Sequence, residues 1–184
     1  MIFSLKHFMS TVVTILFFCT IGSLASCEGN PASRATDIAK IALKASVDNP
    51  ESVKILCVCK PVPIYGKDYV TPIEKDSLSN HLFQISTNIL EETDYFQDFP
   101  KIENNEVLRR ALDAVTTLRA LIAYNEIEHN QDKKGKRAKP FSGWKVKIDF
   151  KAKTLEGKQY RSQYWFILDK KAQCVIKSFE IPYL

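Results

Sequence analysis

The chain has 184 residues, 45% of them hydrophobic and 26% charged, with a formal charge of +5. It shows no internal repeat or low-complexity tract, and its length suits one domain with a real core. A balance this mildly basic excludes the footprint of a nucleic-acid-binding protein.

Residues 1 to 26 read as a three-part export signal. Lys6 supplies a basic start, an apolar run extends from Phe8 to Ile21, and Gly22-Ser23-Leu24-Ala25-Ser26 places small residues before Cys27. The run is short for a membrane-spanning helix, which needs ~20 residues. Leu24-Ala25-Ser26-Cys27 resembles the lipobox of bacterial lipoproteins. The resemblance implies cleavage before Cys27, diacylglycerol on its thiol, and a lipid-anchored protein of the cell envelope, at the outer membrane. The membrane is then the first expected partner, since several acyl chains on one residue give a stable anchor. The alternatives are an ordinary signal peptide with a chance cysteine, or an uncleaved anchor. The chain from Cys27 onward has 158 residues, with 25 basic against 21 acidic. Export also removes nucleic acid from the expected partners.

Residues 27–35, with Gly29, Asn30 and Pro31, read as a tether to a single domain over 36–184. Thr36 to Val47 carries Ile38, Ile41, Ala42 and Ala45 on one helical face, and Asp48-Asn49-Pro50 ends that helix. Ser52 to Lys60 alternates as a strand, with Val53, Ile55, Cys57 and Cys59 in one phase, and Lys60-Pro61-Val62-Pro63 breaks it or confines it to an edge. Thr71-Pro72-Ile73-Glu74 is a capping box, opening a helix to about Glu92 with Leu78, Leu82, Ile85 and Ile89 as its stripe. Thr93 to Asn105 reads as an irregular connection. Glu106 to Glu128 is the longest helix, striped by Leu108, Ala111, Leu112, Val115, Leu118 and Ile122. A polar, basic loop runs from Asn130 to Pro140.

The segment from Trp144 to Ile181 reads as a three-stranded meander. Trp144, Val146, Ile148, Phe150 and Ala152 alternate with Lys145, Lys147, Asp149, Lys151 and Lys153. A three-residue loop on Leu155-Glu156-Gly157 sets Phe150 opposite Ser162 and Val146 opposite Phe166. A two-residue turn on Glu156-Gly157 would force Glu156 to positive φ. A similar turn at Lys170-Lys171-Ala172 sets Ile167 opposite Val175 and Trp165 opposite Lys177, although Ala172 lacks the glycine such a turn favours.

The expected class is α+β, with helices packed on one face of a curved antiparallel sheet. The order of elements resembles the cystatin-like or nuclear-transport-factor-like architecture. Asn49-Pro50-Glu51-Ser52-Val53-Lys54 and Trp144-Lys145-Val146 also resemble turns and meanders of small uncharacterised lipoproteins from Bacteroides-type bacteria. That likeness implies no activity.

No phosphate loop, serine elbow or zinc motif is present, so no catalytic residue, metal or cofactor is expected. Cys57, Cys59 and Cys174 fall on inward phases and read as buried thiols, with a Cys174 bridge as the alternative. The basic loop, with Lys133, Lys134, Lys136, Arg137 and Lys139, is either a solvated connection or a contact for anionic lipid, lipopolysaccharide or acidic glycan. Glu91, Glu92 and Asp94 read as surface. Trp144, Phe150, Tyr160, Tyr164 and Phe166 share the inner face, as core packing or as the lining of a pocket between sheet and helices. Trp165, Ile167, Lys177 and Phe179 lie on the other face and read as an interaction surface for a second copy or an envelope protein.

The leading expectation is a non-enzymatic, lipid-anchored binding or assembly domain for a partner protein, a glycan or a small apolar ligand. The alternative is a small-ligand carrier or enzyme with its site between sheet and helices. A filled core favours the first; a cavity lined by an acid or base with a shifted pKa favours the second. A cystatin-like inhibitor has fold resemblance alone behind it, without an inhibitory loop motif.

Overall fold

A computed structural model describes residues 30–67, 69–95, 97, 99–132 and 139–183. The export signal, Cys27 and the centre of the basic loop lie outside the described residues.

Helix α1 (Pro31–Ser46) opens on Asn30, whose Oδ1 accepts from the Ala32 N–H at 3.0 Å, with Pro31 at the first helical position. The helix therefore begins inside the segment expected to be tether, and Ala35 is already buried. A 3-10 turn (Pro50–Ser52) leads to strands β1 (Lys54–Val58) and β2 (Val62–Tyr65). Helix α2 (Pro72–Glu92) starts with the expected capping box, the Thr71 hydroxyl accepting from the Glu74 N–H and the Glu74 carboxylate from the Thr71 N–H. A short helix α3 (Phe99–Glu103) occupies the stretch expected to be irregular, and α4 (Glu106–Asp132) follows. Strands β3 (Phe141–Lys153), β4 (Gln159–Leu168) and β5 (Val175–Tyr183) form the meander.

The fold is α+β around a five-stranded, curved, open antiparallel sheet of order β1-β3-β4-β5. Strand β3 is long enough for β1 and β2 to share its free edge, with Pro61 between them. Proline lacks the N–H that a ladder needs, so the chain bends there and resumes pairing one segment later.

Helices cover both faces, not one. On one face Val146, Ile148, Phe150, Ala152, Phe166 and Leu168 pack under α1. Residues Ala35, Ala39 and Leu43 make that contact, while Ile41 of the expected stripe is 59% exposed. On the other face Trp165, Phe179 and Ile181 pack under α2 and α4 through Leu78, Ile85, Ile89, Ala111, Val115 and Leu118. These stripes match the helical periodicity of α2 and α4. What the alternation of β3 did not reveal is that its lysine-bearing face also lies under helices.

The first hairpin has the expected register: Phe150 pairs with Ser162 and Val146 with Phe166. Gly157 takes φ +85°, the left-handed region that favours glycine. The second hairpin differs by two residues, pairing Ile167 with Lys177 and Trp165 with Phe179. Asp169 is the cause. Its carboxylate accepts from the N–H groups of Lys171, Gln173 and Cys174 at 3.2, 2.6 and 2.8 Å, stabilising a longer loop than the expected turn. Ala172 sits there at φ +53°. A shift of two residues preserves the face of each side chain, so Trp165 and Phe179 stay together.

Candidate functional site

The expected interaction surface is core. Trp165, Ile167 and Phe179 are 3%, 1% and 3% exposed, and of the four residues assigned to it Lys177 alone reaches solvent. An apolar sheet face that α2 and α4 cover offers no open patch.

The cysteines are also displaced from their expected places. A bulge between Ile55 and Cys57 pairs Ile55 with Phe150, Cys57 with Asp149 and Val58 with Ile148. The extra residue turns Cys57 away from α1 and sends Val58 toward it. Cys57 and Cys174 are exposed, Cys59 is half-buried, and all three thiols are free.

The five inner aromatics divide into two roles. Phe150 and Phe166 are fully buried. Tyr164 stacks on Phe166 with centroids 4.9 Å apart, and Tyr160 meets Phe150 edge-on at 6.0 Å. The Trp144 Nε1–H donates to the Lys170 carbonyl at 3.2 Å and so serves the second hairpin. The hydroxyl ends of Tyr160 and Tyr164 point away from the packed rings, toward a polar cluster at the β5 edge.

Arg110 of α4 is the centre of that cluster. Its Nη2 pairs with Asp48, just beyond α1, and with Glu106 at 3.4 Å, while Nη1 reaches Glu180 of β5 at 3.4 Å. The guanidinium lies 4.6 Å from the centroid of the Tyr160 ring. Arg110, Asp113, Tyr164, Ser178 and Glu180 border a cleft of about 450 Å3. Tyr160 itself borders a separate groove of about 880 Å3, with Lys151, Arg161, Tyr183 and Asn88.

Four buried side-chain atoms among the described residues lack a hydrogen-bond partner: Arg110 Nε, Tyr160 OH, Ser162 Oγ and Glu180 Oε1. All four belong to this one cluster. Buried polar groups are normally paired, so their concentration here sets the cluster apart from the rest of the core.

The electrostatics follow from burial. Burial pushes the Glu180 carboxyl above its ordinary 4.5, against the pull of Ser162 and Arg110. Ser162 lies close enough to act on that carboxyl without completing a hydrogen bond of normal geometry. Burial likewise pushes the Tyr160 phenol up to about 12, so it is neutral and can donate. Burial opposes the charge on Arg110, but Tyr160 and the three carboxylates outweigh it and raise its pKa. One guanidinium faces Asp48, Glu106 and Glu180, which leaves a surplus of negative charge when all are ionised.

No family model matches the chain, and neither a curated protein nor a solved structure matches it. The residues of this polar cluster, apart from Tyr160 and Tyr164, were not singled out by sequence. One signal was available. Glu180 shares the phase of Ser178, an inward position, and a charged residue there demands a buried partner. Its partner Arg110 lies 70 residues away on a helix whose apolar stripe gives no hint of it.

Proposed function

We propose that this protein is a lipid-anchored domain of the cell envelope, at the outer membrane, that binds a small hydroxyl-rich ligand in the cleft beside Glu180. The observation that carries the reading is that Arg110 and Glu180, each with a buried polar atom that has no partner, border one cleft together with Tyr164 and Ser178. The cleft offers a guanidinium N–H, a carboxyl oxygen and the hydroxyl-bearing side chains of Tyr164 and Ser178. A ligand hydroxyl both donates and accepts, so a neutral sugar or polyol suits this mixture of donors and acceptors. The surplus of carboxylates disfavours an anion, and the filled aromatic layer under α1 leaves little room for a bulky apolar ligand.

Glu180 is a carboxyl of raised pKa at the cleft, the feature expected of a ligand site between sheet and helices, and Arg110 beside it stays protonated. The expected anchor fits the same geometry. Helix α1 begins four residues after Cys27 and is 16 residues long, so its start would face the membrane. Its far end, beside Asp48 and the cleft, lies about 24 Å along the helix from that start.

Saturation-transfer NMR of the detergent-purified full chain with glucose, galactose and N-acetylglucosamine tests the reading. Transfer to at least one sugar is expected, weakened by Glu180→Gln and by Ser178→Ala, each of which alters a side chain that borders the cleft. If no sugar shows transfer, or if transfer is unchanged in both variants, the cleft is not the site.

A further inference from the structure

The bulge in β1 has a chemical consequence at the sheet edge. Without it, strict alternation would send Cys57 under α1 with Ile55 and Phe150. With it, Cys57 joins the row of Asp149. Cys59 follows two residues later, its N–H donating to the Lys147 carbonyl at 2.9 Å. Cys59 lies just past the end of β1, and by this register both thiols fall on the same side of the sheet edge, two residues apart. Bulges commonly re-aim side chains in this way.

We propose that Cys57 and Cys59 form a two-coordinate site for a soft monovalent metal ion, Cu(I). The ligand set selects the ion. Thiolate sulfur is soft and prefers Cu(I) over hard cations, and Cu(I) is satisfied by two thiolates in near-linear array. Zinc normally takes four protein ligands in a structural site and three in a catalytic one. No cluster of three His, Cys, Asp or Glu side chains suited to a metal exists among the described residues. Asp149, the nearest carboxylate, is already engaged: its Oδ1 accepts from Gln163 Nε2 at 2.7 Å and from the Tyr183 hydroxyl at 3.4 Å.

Binding replaces two S–H bonds by two S–Cu bonds. Two thiols and one Cu(I) become a bis-thiolate complex of charge −1, and two protons leave to solvent. No oxidant or reductant takes part. Lys147 stands on the same face, but its Nζ is held by Glu74 at 2.6 Å, so the complex keeps its charge and depends on solvent at the exposed edge. Cys57 is exposed, so the ion has an entry path, while the half-buried Cys59 shields it from one side.

The reduced, detergent-purified full chain is titrated anaerobically against the Cu(I) complex of bathocuproine disulfonate. Fading of the chelator's visible band reports transfer. One Cu(I) per chain is expected, retained in Cys174→Ser and lost in Cys57→Ser and in Cys59→Ser. A second measurement needs no variant. Bound Cu(I) should shield Cys57 and Cys59, but not Cys174, from iodoacetamide, as read by peptide mass spectrometry. Equal alkylation of Cys57 with and without Cu(I), or unchanged Cu(I) uptake by the Cys57→Ser/Cys59→Ser double variant, overturns the proposal.

Discussion

Glu74 ties the start of α2 to the sheet, and removing its charge tests how that face is closed. Its Oε1 receives Lys147 Nζ at 2.6 Å, and its Oε2 receives Lys145 Nζ at 2.5 Å and the Thr71 N–H at 2.8 Å. Lys145 is 3% exposed and also donates to the Tyr69 carbonyl at 3.0 Å. Burial alone would raise the Glu74 carboxyl, but the hydrogen bonds from Lys145, Lys147 and Thr71 prevail and hold it at about 2. The same burial pulls Lys145 below its ordinary value despite Glu74 beside it. A carboxyl held at about 2 against an ordinary 4.5 carries about 3 kcal/mol at neutral pH, trimmed toward about 2 by solvent at its rim.

Glu74→Gln keeps the shape and the helix cap but leaves the Lys145 ammonium buried among neutral partners. Stranding that charge adds to the loss, so the expected total is about 3 kcal/mol. In a domain of this size that lowers Tm by roughly 6–12 °C, read by circular dichroism at pH 7. Adding Lys145→Met removes the stranded charge and should recover most of the loss. The pH dependence has a definite sign. The folded carboxyl titrates below its ordinary value, so the stabilisation is complete above pH 4.5 and fades as pH falls toward about 2. Wild type should therefore lose stability more steeply than Glu74→Gln over that window. A Glu74→Gln melt within ~1 °C of wild type, or a double variant no more stable than the single one, refutes the argument.

Three further outcomes are expected. The intact mass of the membrane-extracted protein should show a chain beginning at Cys27 and carrying lipid; an unmodified chain, or one still beginning at Met1, defeats the anchor. Trp165→Ala should cost about 3–5 kcal/mol and unfold much of the protein on heating, because it empties a filled layer; a folded variant of wild-type stability would show that α2 and α4 do not cover it. Gly143→Ala should destabilise strongly, because a Cβ there would overlap the Leu168 carbonyl oxygen of the neighbouring strand; a melt equal to wild type would show that the strands can part to admit it.

Most of the helices and the first hairpin were legible because their signals are local. The Thr71–Glu74 capping box, the stripes of α2 and α4, and Gly157 at positive φ each depend on residues a few positions apart. The second hairpin was not, because Asp169 has several backbone N–H groups within reach and nothing local states which loop length it will stabilise. The β1 bulge was also hidden. Val53, Ile55, Cys57 and Cys59 alternate cleanly, and the extra residue shows itself only when β3 supplies a partner row for each. Of the polar cluster, the tyrosines were legible as inward aromatics. Arg110 and Glu180 were not, because the two halves of that pair belong to elements distant in the chain.

The misreading of the Trp165 face has a physical cause. Lys145, Lys147 and Lys151 alternate along β3, and lysines at period two normally mark water. Yet the same face carries Trp165, Phe179 and Ile181, which water would not tolerate as a cluster. The conflict has two resolutions: an exposed apolar patch with a charged rim, or a covering layer that brings its own countercharge. Glu74 supplies that countercharge from the third position of a helix whose stripe needs an apolar partner. Lys147 completes the seal by placing Nζ 3.8 Å from the centroid of the Trp165 ring, where a cation is attracted to the aromatic face. Two amphipathic helices with one apolar stripe each cannot both be satisfied by the α1 face, which the Ala35, Ala39 and Leu43 contacts already fill. Their stripes and the apolar half of the lysine face need each other, and the burial of Lys145 follows from that pairing.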